Sequence, residues 1–554
     1  MEQANRDHAL LFTAMPLISL AFIAAAFLAG VSLQGLFALW GGVNAYVSDA
    51  AAVGGLGAAL LNGGLMGLFA WAVLLLARAK AAGRALGPFF LCMGLGLFGA
   101  NVFCALPIVL GGFLYSRLRR EPFSRTALYA LQGCALSPAV AALYLGTSGT
   151  PSLGGALLGL LAGAAVGFLC LPLALHTRPL HQGYNLFGMG IPLGVMGILL
   201  FAVYRDTVLV PQGLAVGYVS PMRIGEARPL FFYPLFGLVF ALLFLAGRLL
   251  RRPGGPPYRA LYAHPGLEAD FAHLFGAADV LQNAGLTGAL LLAYFYLVAV
   301  PFSGAAAGAL LCGLCWAGAG AHPRNVFPIL LGYCFTSLLL NTPLNAPELV
   351  IGVCFATGLA PISGRLGGIY GLLSGSLHAF LMPAVLGLNG GFNLCTGAFA
   401  SGVVALALFP LLYEIERRRG EQAAAVRPGV AGELLHDASQ IVDGMDGALS
   451  HVEAAPANPY ENHPLDALFL LLRNALACLA AALFFLSLFP AAPLVAHRGL
   501  LRFIAYILGA FAYGSEILVL TNAFRQKRPL REMLMPYMFG VLYIVLGFSY
   551  LWGH

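Results

Sequence analysis

The chain has 554 residues, of which 60% are hydrophobic and only 9% are charged. Soluble globular proteins carry about 25% charged residues, so this composition excludes an ordinary soluble core and indicates helices embedded in lipid. The formal net charge of +7 comes from basic residues that lie beside apolar runs. That pattern is typical of cytoplasmic loop ends rather than of a nucleic-acid surface.

Apolar runs and polar interruptions divide the chain into six segments. They are an N-terminal span and outer loop at 1–46, a first repeat at 47–228, a linking span and cytoplasmic loop at 229–266, a second, inverted repeat at 267–413, a polar cytoplasmic loop at 414–463, and three C-terminal spans at 464–554. We therefore predict an all-α polytopic membrane protein with an inverted-repeat channel or transporter fold and re-entrant half-helices.

The segment between residues 47 and 413 repeats a series of short motifs in the same order. The pairs are Asn62–Gly67 with Asn283–Gly288, Asn101–Phe103 with Asn325–Phe327, Pro107–Gly111 with Pro328–Gly332, Ser137-Pro138 with Ala360-Pro361, Gly159–Gly163 with Gly371–Gly375, and Gly183–Leu186 with Gly391–Leu394. One pair could arise by chance, whereas this many in order indicate an internal duplication. The basic loops all face the cytoplasm if the second half is inverted relative to the first.

Six asparagines occupy matched places in or beside the apolar, glycine-rich stretches. They are Asn62, Asn101, Asn185, Asn283, Asn325 and Asn393. An amide that faces hydrocarbon costs several kcal/mol, so each must cap a helix end, bond another helix or line a wet path. We expect most of them to cap broken helices. A half-helix that ends near the midplane also presents free N–H groups to a solute, so capping and a place on the path are compatible.

Aromatic residues and two titratable residues complete the predicted substrate path. The aromatic candidates are Phe103, Phe327, Tyr333, Tyr184 and Phe392, and the titratable ones are Asp279 and His378. A narrow pore for small polar solutes has apolar walls and few hydrogen-bonding sites. Ionisable groups inside a membrane are functional candidates by default. Core packing explains any one aromatic equally well, a satisfied core histidine explains His378, and a helix N-terminus at the interface explains Asp279.

Several chemical signatures are absent from the sequence. It has no P-loop, no HExxH motif and no paired carboxylates in its apolar runs, and apart from the single Cys312-Gly-Leu-Cys315 pair its 10 cysteines have no ligand spacing. We therefore predict that the protein is not an enzyme and has no catalytic residues, metal site or cofactor. The scarcity of charged groups in the repeated segment favours passive movement of a neutral solute over coupled uptake.

The duplicated elements resemble those of the urea transporter family. Asn283–Gly288 and its twin Asn62–Gly67 are similar to that family's Asn-Asn-Pro element, which is followed two residues later by Gly. Leu331–Leu338 resembles the Gly-Tyr-Asn element, and Gly387–Asn393 resembles the ending of each half. The resemblance implies two inverted halves of five spans each with re-entrant pore helices, assembled as trimers with one pore per subunit.

The sequence departs from the family pattern at the positions that carry the motifs. Gly64 and Gly285 stand in place of the two prolines, and Cys334 stands in place of the asparagine of Gly-Tyr-Asn. The family's acidic or amide residue in each pore helix falls on Gly57 and Ala278. The resemblance therefore supports the fold more strongly than it supports urea as the substrate.

Taken together, these features predict a multi-pass protein of the inner or plasma membrane of a bacterium. Its expected partners are the lipid bilayer, a small solute and further copies of the chain, without nucleic acid. The favoured function is a channel or facilitator for a small, uncharged polar solute of the urea type, with the pore between the repeats. Two alternatives stay open, namely an ion-coupled transporter or cation pathway that uses Asp279, and a membrane enzyme or assembly factor.

Overall fold

The computed structural model describes residues 2–41, 49–79, 82–146, 151–212, 225–251, 257–267 and 269–426. Every regular element in these ranges is helical, and ten of the helices are long and apolar enough to cross a membrane. The prediction of an all-α, multi-pass membrane protein is therefore confirmed. The predicted C-terminal spans at 464–554 and most of the predicted loop at 414–463 lie outside the described residues.

The first ten helices precede residue 205. They are α1 (Glu2–Leu28), α2 (Leu33–Gly41), α3 (Ala50–Gly54), α4 (Leu56–Leu76), α5 (Ala82–Leu97), α6 (Val102–Arg119), α7 (Phe123–Gly133), α8 (Ser137–Leu145), α9 (Leu153–His181) and α10 (Gly190–Tyr204). A 3₁₀ turn at Cys134–Leu136 joins α7 to α8, and a π-helical turn at Arg205–Leu209 extends α10.

The next nine helices follow in a similar order of lengths. They are α11 (Pro229–Leu250), α12 (Phe271–Phe275), α13 (Ala277–Leu297), α14 (Gly304–Gly313), α15 (Pro323–Leu340), α16 (Pro347–Ala356), α17 (Ala360–Leu366), α18 (Gly368–Leu386) and α19 (Thr396–Val426). Helix α19 continues into the segment that we predicted as a polar loop. Further 3₁₀ turns lie at Tyr258–Ala263 and Thr357–Leu359.

The chain forms two compact units. One consists of Met1–Val203 and Gly217–Leu408, and the other of Tyr204–Val216 and Phe409–His554. All of the predicted site residues belong to the first unit. In the described part of the second unit, Arg205 pairs with the neighbouring Asp206 at 2.8 Å.

Glycines allow two pairs of helices to pack backbone against backbone. Helix α6 packs on α9 at Gly111 and Gly167, where an added Cβ would collide with carbonyl oxygens of the facing helix. Helix α15 packs on α18 in the same way at Gly332 and Gly375. Without a hydrophobic driving force between helices in lipid, close contact at small residues supplies much of the packing energy.

Two further helix pairs also cross at glycines. Gly64 of α4 packs against the backbone of α1 at Ser19, and Gly285 of α13 packs against the backbone of α11 at Phe240. In both crossings the contacted residue precedes the glycine by the same number of positions, from Ser19 to Gly64 and from Phe240 to Gly285. Helices α1 and α11 therefore occupy corresponding positions beside the helices that carry Asn62 and Asn283.

Two spans are broken near their middle. The 3₁₀ turn at Cys134–Leu136 interrupts one span between α7 and α8, and the turn at Thr357–Leu359 interrupts the other between α16 and α17. Pro138 and Pro361 begin the second piece of each span. Proline is tolerated there because the first helical residues need no N–H bond within the helix.

Candidate functional site

Asn62, in α4, is buried and bonded on both sides of its amide. Its Nδ2 donates to the carbonyl oxygens of Gly96 and Ala100 at 2.7 Å each, 34 and 38 residues further along the chain. Its Oδ1 accepts from Nε1 of Trp40 at 2.9 Å. The side chain therefore caps the C-terminal end of α5, where backbone carbonyls have no partner within the helix.

Asn283, in α13, makes the same set of bonds. Its Nδ2 donates to the carbonyl oxygens of Ala317 at 2.7 Å and Ala321 at 2.8 Å, again 34 and 38 residues further along. Its Oδ1 accepts from the Tyr258 hydroxyl at 3.1 Å. Both asparagines therefore cap the end of a neighbouring helix, and their amide nitrogen and oxygen both have hydrogen-bond partners. Capping is the role that the sequence predicted for most of the six asparagines.

Asn101 and Asn325 lie at the starts of α6 and α15. The Asn101 Oδ1 accepts from the Cys104 N–H at 3.1 Å and caps α6. In α15 the N-cap is His322 instead, whose Nδ1 accepts from the Asn325 N–H while Asn325 Oδ1 accepts from the His322 N–H. This reciprocal pair is a capping box in which the acceptors, a histidine ring nitrogen and an asparagine oxygen, are unusual.

Asn185 and Asn393 each stabilise a tight turn ahead of a helix. The Asn185 Oδ1 accepts from the Phe187 N–H at 3.1 Å, and the Asn393 Oδ1 accepts from the Cys395 N–H at 2.9 Å. Such Asx turns use the side chain in place of a backbone carbonyl. Asn393 Nδ2 is buried and has no hydrogen-bond partner among the described residues.

The two turns exchange backbone bonds with the two broken spans. The N–H of Leu186 donates to the carbonyl of Gly358 at 2.8 Å, and the N–H of Leu394 donates to the carbonyl of Ala135 at 2.9 Å. Each turn therefore reaches the helix break of the other half of the unit. A reciprocal exchange of this kind is what a two-fold relation between two segments produces.

A cavity of about 150 Å³ lies beside the first of these turns. Its lining residues are Arg84, Pro88, Leu128, Tyr129, Gln132, Arg178, His181, Gly183, Asn185, Leu186, Gly188, Ala269, Trp316 and Ala319. They come from α5, α7, the end of α9, the turn between α9 and α10, and the two segments that precede α12 and follow α14. Of the residues that the sequence singled out, Asn185 lines this cavity.

The predicted aromatic residues fall into two groups. Tyr184 and Phe392 are buried, and Phe392 contacts Phe201 edge to face at 5.6 Å between ring centroids. Phe103 and Phe327 are 66% and 50% exposed in the described unit. The exposed pair therefore lies away from the cavity lining, on a face that lipid or another subunit can cover.

Tyr333 and His378 form a buried pair between α15 and α18. The Tyr333 hydroxyl lies 2.6 Å from His378 Nδ1, and His378 Nε2 lies 2.9 Å from the Gly397 carbonyl oxygen. Because a carbonyl can only accept, His378 carries its proton on Nε2 and accepts from Tyr333 at Nδ1. The histidine thus connects α18 with the start of α19, and both of its ring nitrogens have partners.

Asp279, in the first turn of α13, forms an ion pair. Its Oδ1 accepts from Arg251 Nε at 2.7 Å, and its side chain is only 3% exposed. Arg251 is the C-cap of α11, so the pair connects the two helices at one end of their crossing. A carboxylate at a helix N-terminus is also favoured by the helix dipole.

A family model described as a protein of unknown function, DUF1576, matches residues 28–206 and 257–414, which is more than half of the chain. The chain belongs to the DUF1576 family. Comparison with curated proteins and with solved structures finds no match. The resemblance to urea transporters therefore stays a prediction.

The DUF1576 match includes every residue that lines the cavity, from Arg84 to Ala319. Sequence reasoning missed most of this lining, because it assigned Arg84 to a cytoplasmic loop end and did not single out Arg178 or His181 near the end of α9. The signal that could have found part of it is that Arg178 and His181 directly precede the repeated turn at Gly183–Leu186. Among the described residues, no group of three His, Cys, Asp or Glu residues is placed to hold a metal ion.

Proposed function

We propose that the described part of this DUF1576 protein consists of two inverted repeats, one that begins at α1 and one that begins at α11. The matched bonds of Asn62 and Asn283 support the repeat, as do the glycine crossings of α4 with α1 and of α13 with α11. The sequence pattern started the repeats at residues 47 and 267. The proposal therefore moves the N-terminal span and the linking span into the repeats themselves.

The number of crossings and the basic residues support the inversion. The first repeat would cross with α1, α4, α5, α6, α7–α8, α9 and α10, and the second with α11, α13, α14, α15, α16–α17, α18 and α19. Because each repeat would cross the membrane an odd number of times, the second repeat would have the opposite orientation in the membrane. Arg78 and Arg117 lie at the ends of α4 and α6, whereas Arg251 lies at the end of α11, on the side from which α13 begins, and Arg324 lies at the start of α15. Inversion brings all four to the cytoplasmic side.

Helix contacts favour a different register from the one that the sequence motifs suggested for α9 and α18. A Cβ added at Gly163 would contact Pro107, and a Cβ added at Gly371 would contact Pro328. These two prolines are partners in the repeat. The alignment is thus one helical turn away from the pairing of Gly159 with Gly371. His378 then takes the place of Cys170 rather than Val166, and the N-cap that corresponds to Asn101 is His322 rather than Asn325.

We infer that a small polar solute crosses the membrane along the seam between the repeats and uses the cavity as its cytoplasmic entrance. The observation that carries this proposal is that both repeats line the cavity. One lining residue, Leu186, also donates its N–H to Gly358 in the break of the opposite repeat. Substrate sites in inverted-repeat transporters lie at such interfaces, where broken helices meet.

The corresponding positions at the other end of the seam are packed and apolar. Ala305 corresponds to Arg84, Phe355 to Gln132 and Leu95 to Trp316, and all three are at most 2% exposed. The proposed path is therefore open towards the cytoplasm and sealed towards the outside. This geometry fits a gated facilitator in an inward-open state better than a permanently open pore.

An ion-coupled mechanism has less support from the structure. It would depend on Asp279, which is already paired with Arg251 and buried at the crossing of α11 and α13. A carboxylate held in this way stabilises the helix pair and is not exposed to the cavity lining. We therefore retain a facilitator as the proposed function and, by the resemblance to urea transporters, a homotrimer as its proposed assembly.

Flux into proteoliposomes tests the proposal. The panel contains urea, other small amides, polyols, ammonium, alkali cations and small carboxylates, each measured with and without pH and Na⁺ gradients. We expect uptake of at least one small polar solute that saturates weakly and does not require an ion gradient. Uptake that requires Na⁺ or a pH gradient and disappears in Asp279→Asn would favour the coupled alternative.

A variant of the outer seal makes the test specific to the seam. Phe355 packs against Phe187 at 5.5 Å between ring centroids and is fully buried. We expect Phe355→Ala to raise the flux several-fold, because it removes the largest side chain of the seal. Phe302→Ala is the matched control, since Phe302 is also fully buried but belongs to the aromatic cluster beside α11. Equal flux in both variants would contradict a path along the seam.

A further inference from the structure

Trp316 lines the cavity and has a hydrogen-bond donor that no described protein atom uses. Its ring is partly exposed, and its Nε1 is buried without a partner among the described residues. Two other lining residues already have partners for their amide nitrogens. Gln132 Nε2 donates to the Leu128 carbonyl at 3.1 Å. Asn185 Nδ2 donates to the Phe187 carbonyl at 3.0 Å. Because an indole N–H can only donate, the cavity offers a donor to its contents.

Packing holds the Trp316 ring, but no hydrogen bond in the described protein holds its N–H. The six-membered ring packs on α5 at Gly87, where an added Cβ would lie 3.4 Å from Trp316 Cζ3. A buried donor without a partner is costly, because it has left water and has gained no bond in exchange. A rotation of the ring towards the cavity therefore breaks no hydrogen bond, and it forms one when a solute supplies an acceptor.

Trp316 is also the inner end of a row of three aromatic rings. It contacts Phe187 edge to face at 5.4 Å between ring centroids, and Phe187 contacts Phe355 at 5.5 Å. Asn185 fixes Phe187, because its side chain bonds both the N–H and the carbonyl of that residue. Phe355 belongs to the outer seal. A solute beside Trp316 therefore lies at the inner end of the row that leads along the seam to the seal.

The proposed alignment indicates that the fold does not require this row. Three residues that are not aromatic stand at the corresponding positions, namely Leu95 for Trp316, Cys395 for Phe187 and Gln132 for Phe355. Leu95 is buried, so a side chain without a hydrogen-bond donor fills that place in the first repeat. A donor that only one repeat carries, and that has no protein partner there, is better explained by a ligand than by packing.

The size of the cavity limits the ligand. Water occupies about 30 Å³ in the liquid, so 150 Å³ corresponds to roughly five water molecules. A solute of about four to six heavy atoms fits, whereas a lipid or a nucleotide does not.

We propose that Trp316 determines the specificity of the protein by donating its indole N–H to an acceptor oxygen of a small solute in the cavity. The acceptor is a carbonyl or hydroxyl oxygen, as in small amides and polyols. This inference rests on the proposed function and adds to it the residue that recognises the solute. Ammonium and alkali cations have no acceptor for the indole N–H, so Trp316 selects against them.

A matched pair of solutes tests recognition through oxygen. Acetamide and thioacetamide have the same shape and differ in one atom, and sulfur is a weaker hydrogen-bond acceptor than oxygen. Concentration series of flux into proteoliposomes give the half-saturating concentration and the maximal flux of each solute. For the wild type we expect the half-saturating concentration of acetamide to be about tenfold lower than that of thioacetamide, since one hydrogen bond to an unpartnered donor is worth roughly that factor.

Binding to the full-length protein in phosphatidylcholine nanodiscs separates recognition from transport. The probe is acetamide, titrated while the intrinsic fluorescence of the four tryptophans is followed. We expect the fluorescence change to disappear in Trp316→Phe and to remain in Trp71→Phe.

Two tryptophan variants separate recognition from packing. Trp316→Phe removes the N–H and keeps an aromatic ring beside Phe187. We expect it to raise the half-saturating concentration of acetamide about tenfold, to leave that of thioacetamide unchanged and to keep the maximal flux. Trp71→Phe is the matched control, because Trp71 lies outside the cavity lining and its Nε1 donates to the Phe12 carbonyl at 2.9 Å. It should lower the thermal unfolding temperature and leave the ratio of the two solutes unchanged.

A second variant keeps the test decisive if Trp316→Phe fails to fold. Trp316→Leu places at position 316 the side chain that the first repeat has at Leu95, so the proposed alignment predicts that the fold accepts it. We expect the same loss of preference for acetamide over thioacetamide.

Two results would overturn the inference. The first is an equal half-saturating concentration of acetamide and thioacetamide in the wild type, and the second is a preference for acetamide that the folded Trp316 variants retain. In both cases the flux itself would still support the proposed function. Acetamide binding that requires Trp316, without flux of any solute, would overturn the proposed function and leave Trp316 as a ligand-binding residue. Absence of both binding and flux would overturn both.

Discussion

In the proposed alignment, the two repeats of the described unit share their framework and differ at their ends. Asn62 and Asn283 bind carbonyls at the same two spacings, and glycines bring the corresponding helix pairs into backbone contact. The ends differ because one carries a cavity with two arginines and the other a buried phenylalanine. Positions that both halves keep therefore hold the fold, and positions at which they differ are the candidates for function.

A second difference lies inside the halves. In the proposed alignment Tyr333 and His378 take the places of Gly112 and Cys170. The second half thus has a hydrogen-bonded polar pair where the first half has a close helix contact at glycine. Substitutions can test this division, because shared positions should respond alike in both halves and unshared positions should not.

The largest effect is expected at the shared glycine crossings. An alanine Cβ at Gly332 would collide with the Leu372 carbonyl oxygen, and one at Gly111 with the Ala164 carbonyl oxygen. Because backbone atoms cannot move aside singly, the helices must separate. We expect Gly111→Ala and Gly332→Ala each to lower the free energy of unfolding by about 3 kcal/mol or more. Unfolding in mixed micelles, followed by circular dichroism, measures this.

Gly237→Ala is the control for these variants. Gly237 lies within α11, and an added Cβ would meet nothing within 4 Å. Alanine is a better helix former, so the change should stabilise the protein by about 0.5–1 kcal/mol. Tolerance of Gly111→Ala together with loss of stability in Gly332→Ala would show that the two crossings are not equivalent.

The next largest effect is expected at the asparagine anchors. Asn62→Ala or Asn283→Ala removes three hydrogen bonds and leaves two buried carbonyls unsatisfied. We expect each variant to lose roughly 2–4 kcal/mol of unfolding free energy, with similar values for the two. Asn345→Ala, at an exposed amide, should change the same quantity by less than about 0.5 kcal/mol.

Unequal losses at the anchors would change their interpretation. If Asn283→Ala kept full stability but lost solute flux, Asn283 would belong to the path rather than to the scaffold. Equal losses with flux reduced only in proportion to the folded fraction would support anchoring. The measurement therefore separates the two roles that the sequence left open for these amides.

The framework could be predicted from sequence because its causes are local. An amide in an apolar run needs a partner, and a glycine pattern in a span indicates close packing, so Asn62 and Asn283 were identified with a correct structural reason. The register of α9 could not be predicted in the same way. Gly159, Gly163 and Gly167 recur every four residues, so a slip of one turn preserves the pattern, and the contact with Pro107 is what favours one alignment.

The cavity was much harder to predict. Its polar lining comes from separate segments that include Arg84, Gln132, Arg178 and Trp316, and they are brought together by tertiary packing. Each of the two arginines also has an ordinary explanation as a cytoplasmic charge beside a span. A single sequence cannot show which of such charges tertiary packing brings together around a cavity.

A smaller effect is expected at Tyr333 and His378, the buried polar pair that has no counterpart in the first half. Tyr333→Phe removes the hydroxyl that donates to His378 and leaves a buried ring nitrogen without a partner. We expect a loss of about 1–3 kcal/mol of unfolding free energy. The matched control is Tyr294→Phe, because the Tyr294 hydroxyl is buried without a partner among the described residues. That variant should be neutral or slightly stabilising, and a larger loss in Tyr294→Phe than in Tyr333→Phe would refute the role of the pair.

The smallest effect concerns His264, in the loop before α12. Its Nδ1 accepts from the Gly266 N–H at 3.0 Å, and burial lowers the pKa of the ring below its usual 6.5. The folded protein therefore favours the neutral ring. Its contribution to stability is present above pH 6.5 and is lost as the pH falls through the lowered pKa of the folded state.

His264→Asn isolates this contribution. Asparagine at position 264 can accept from the same Gly266 N–H in an Asx turn but cannot titrate. Between pH 7.5 and pH 5 we expect the wild type to lose up to about 1 kcal/mol more unfolding free energy than His264→Asn. Burial lowers the pKa of His322, whose Nε2 lies 3.1 Å from the His264 carbonyl oxygen, to about 4, so its ring is mainly neutral between pH 7.5 and pH 5. Parallel pH profiles for the two proteins would show that His264 does not couple protonation to the fold of the second half.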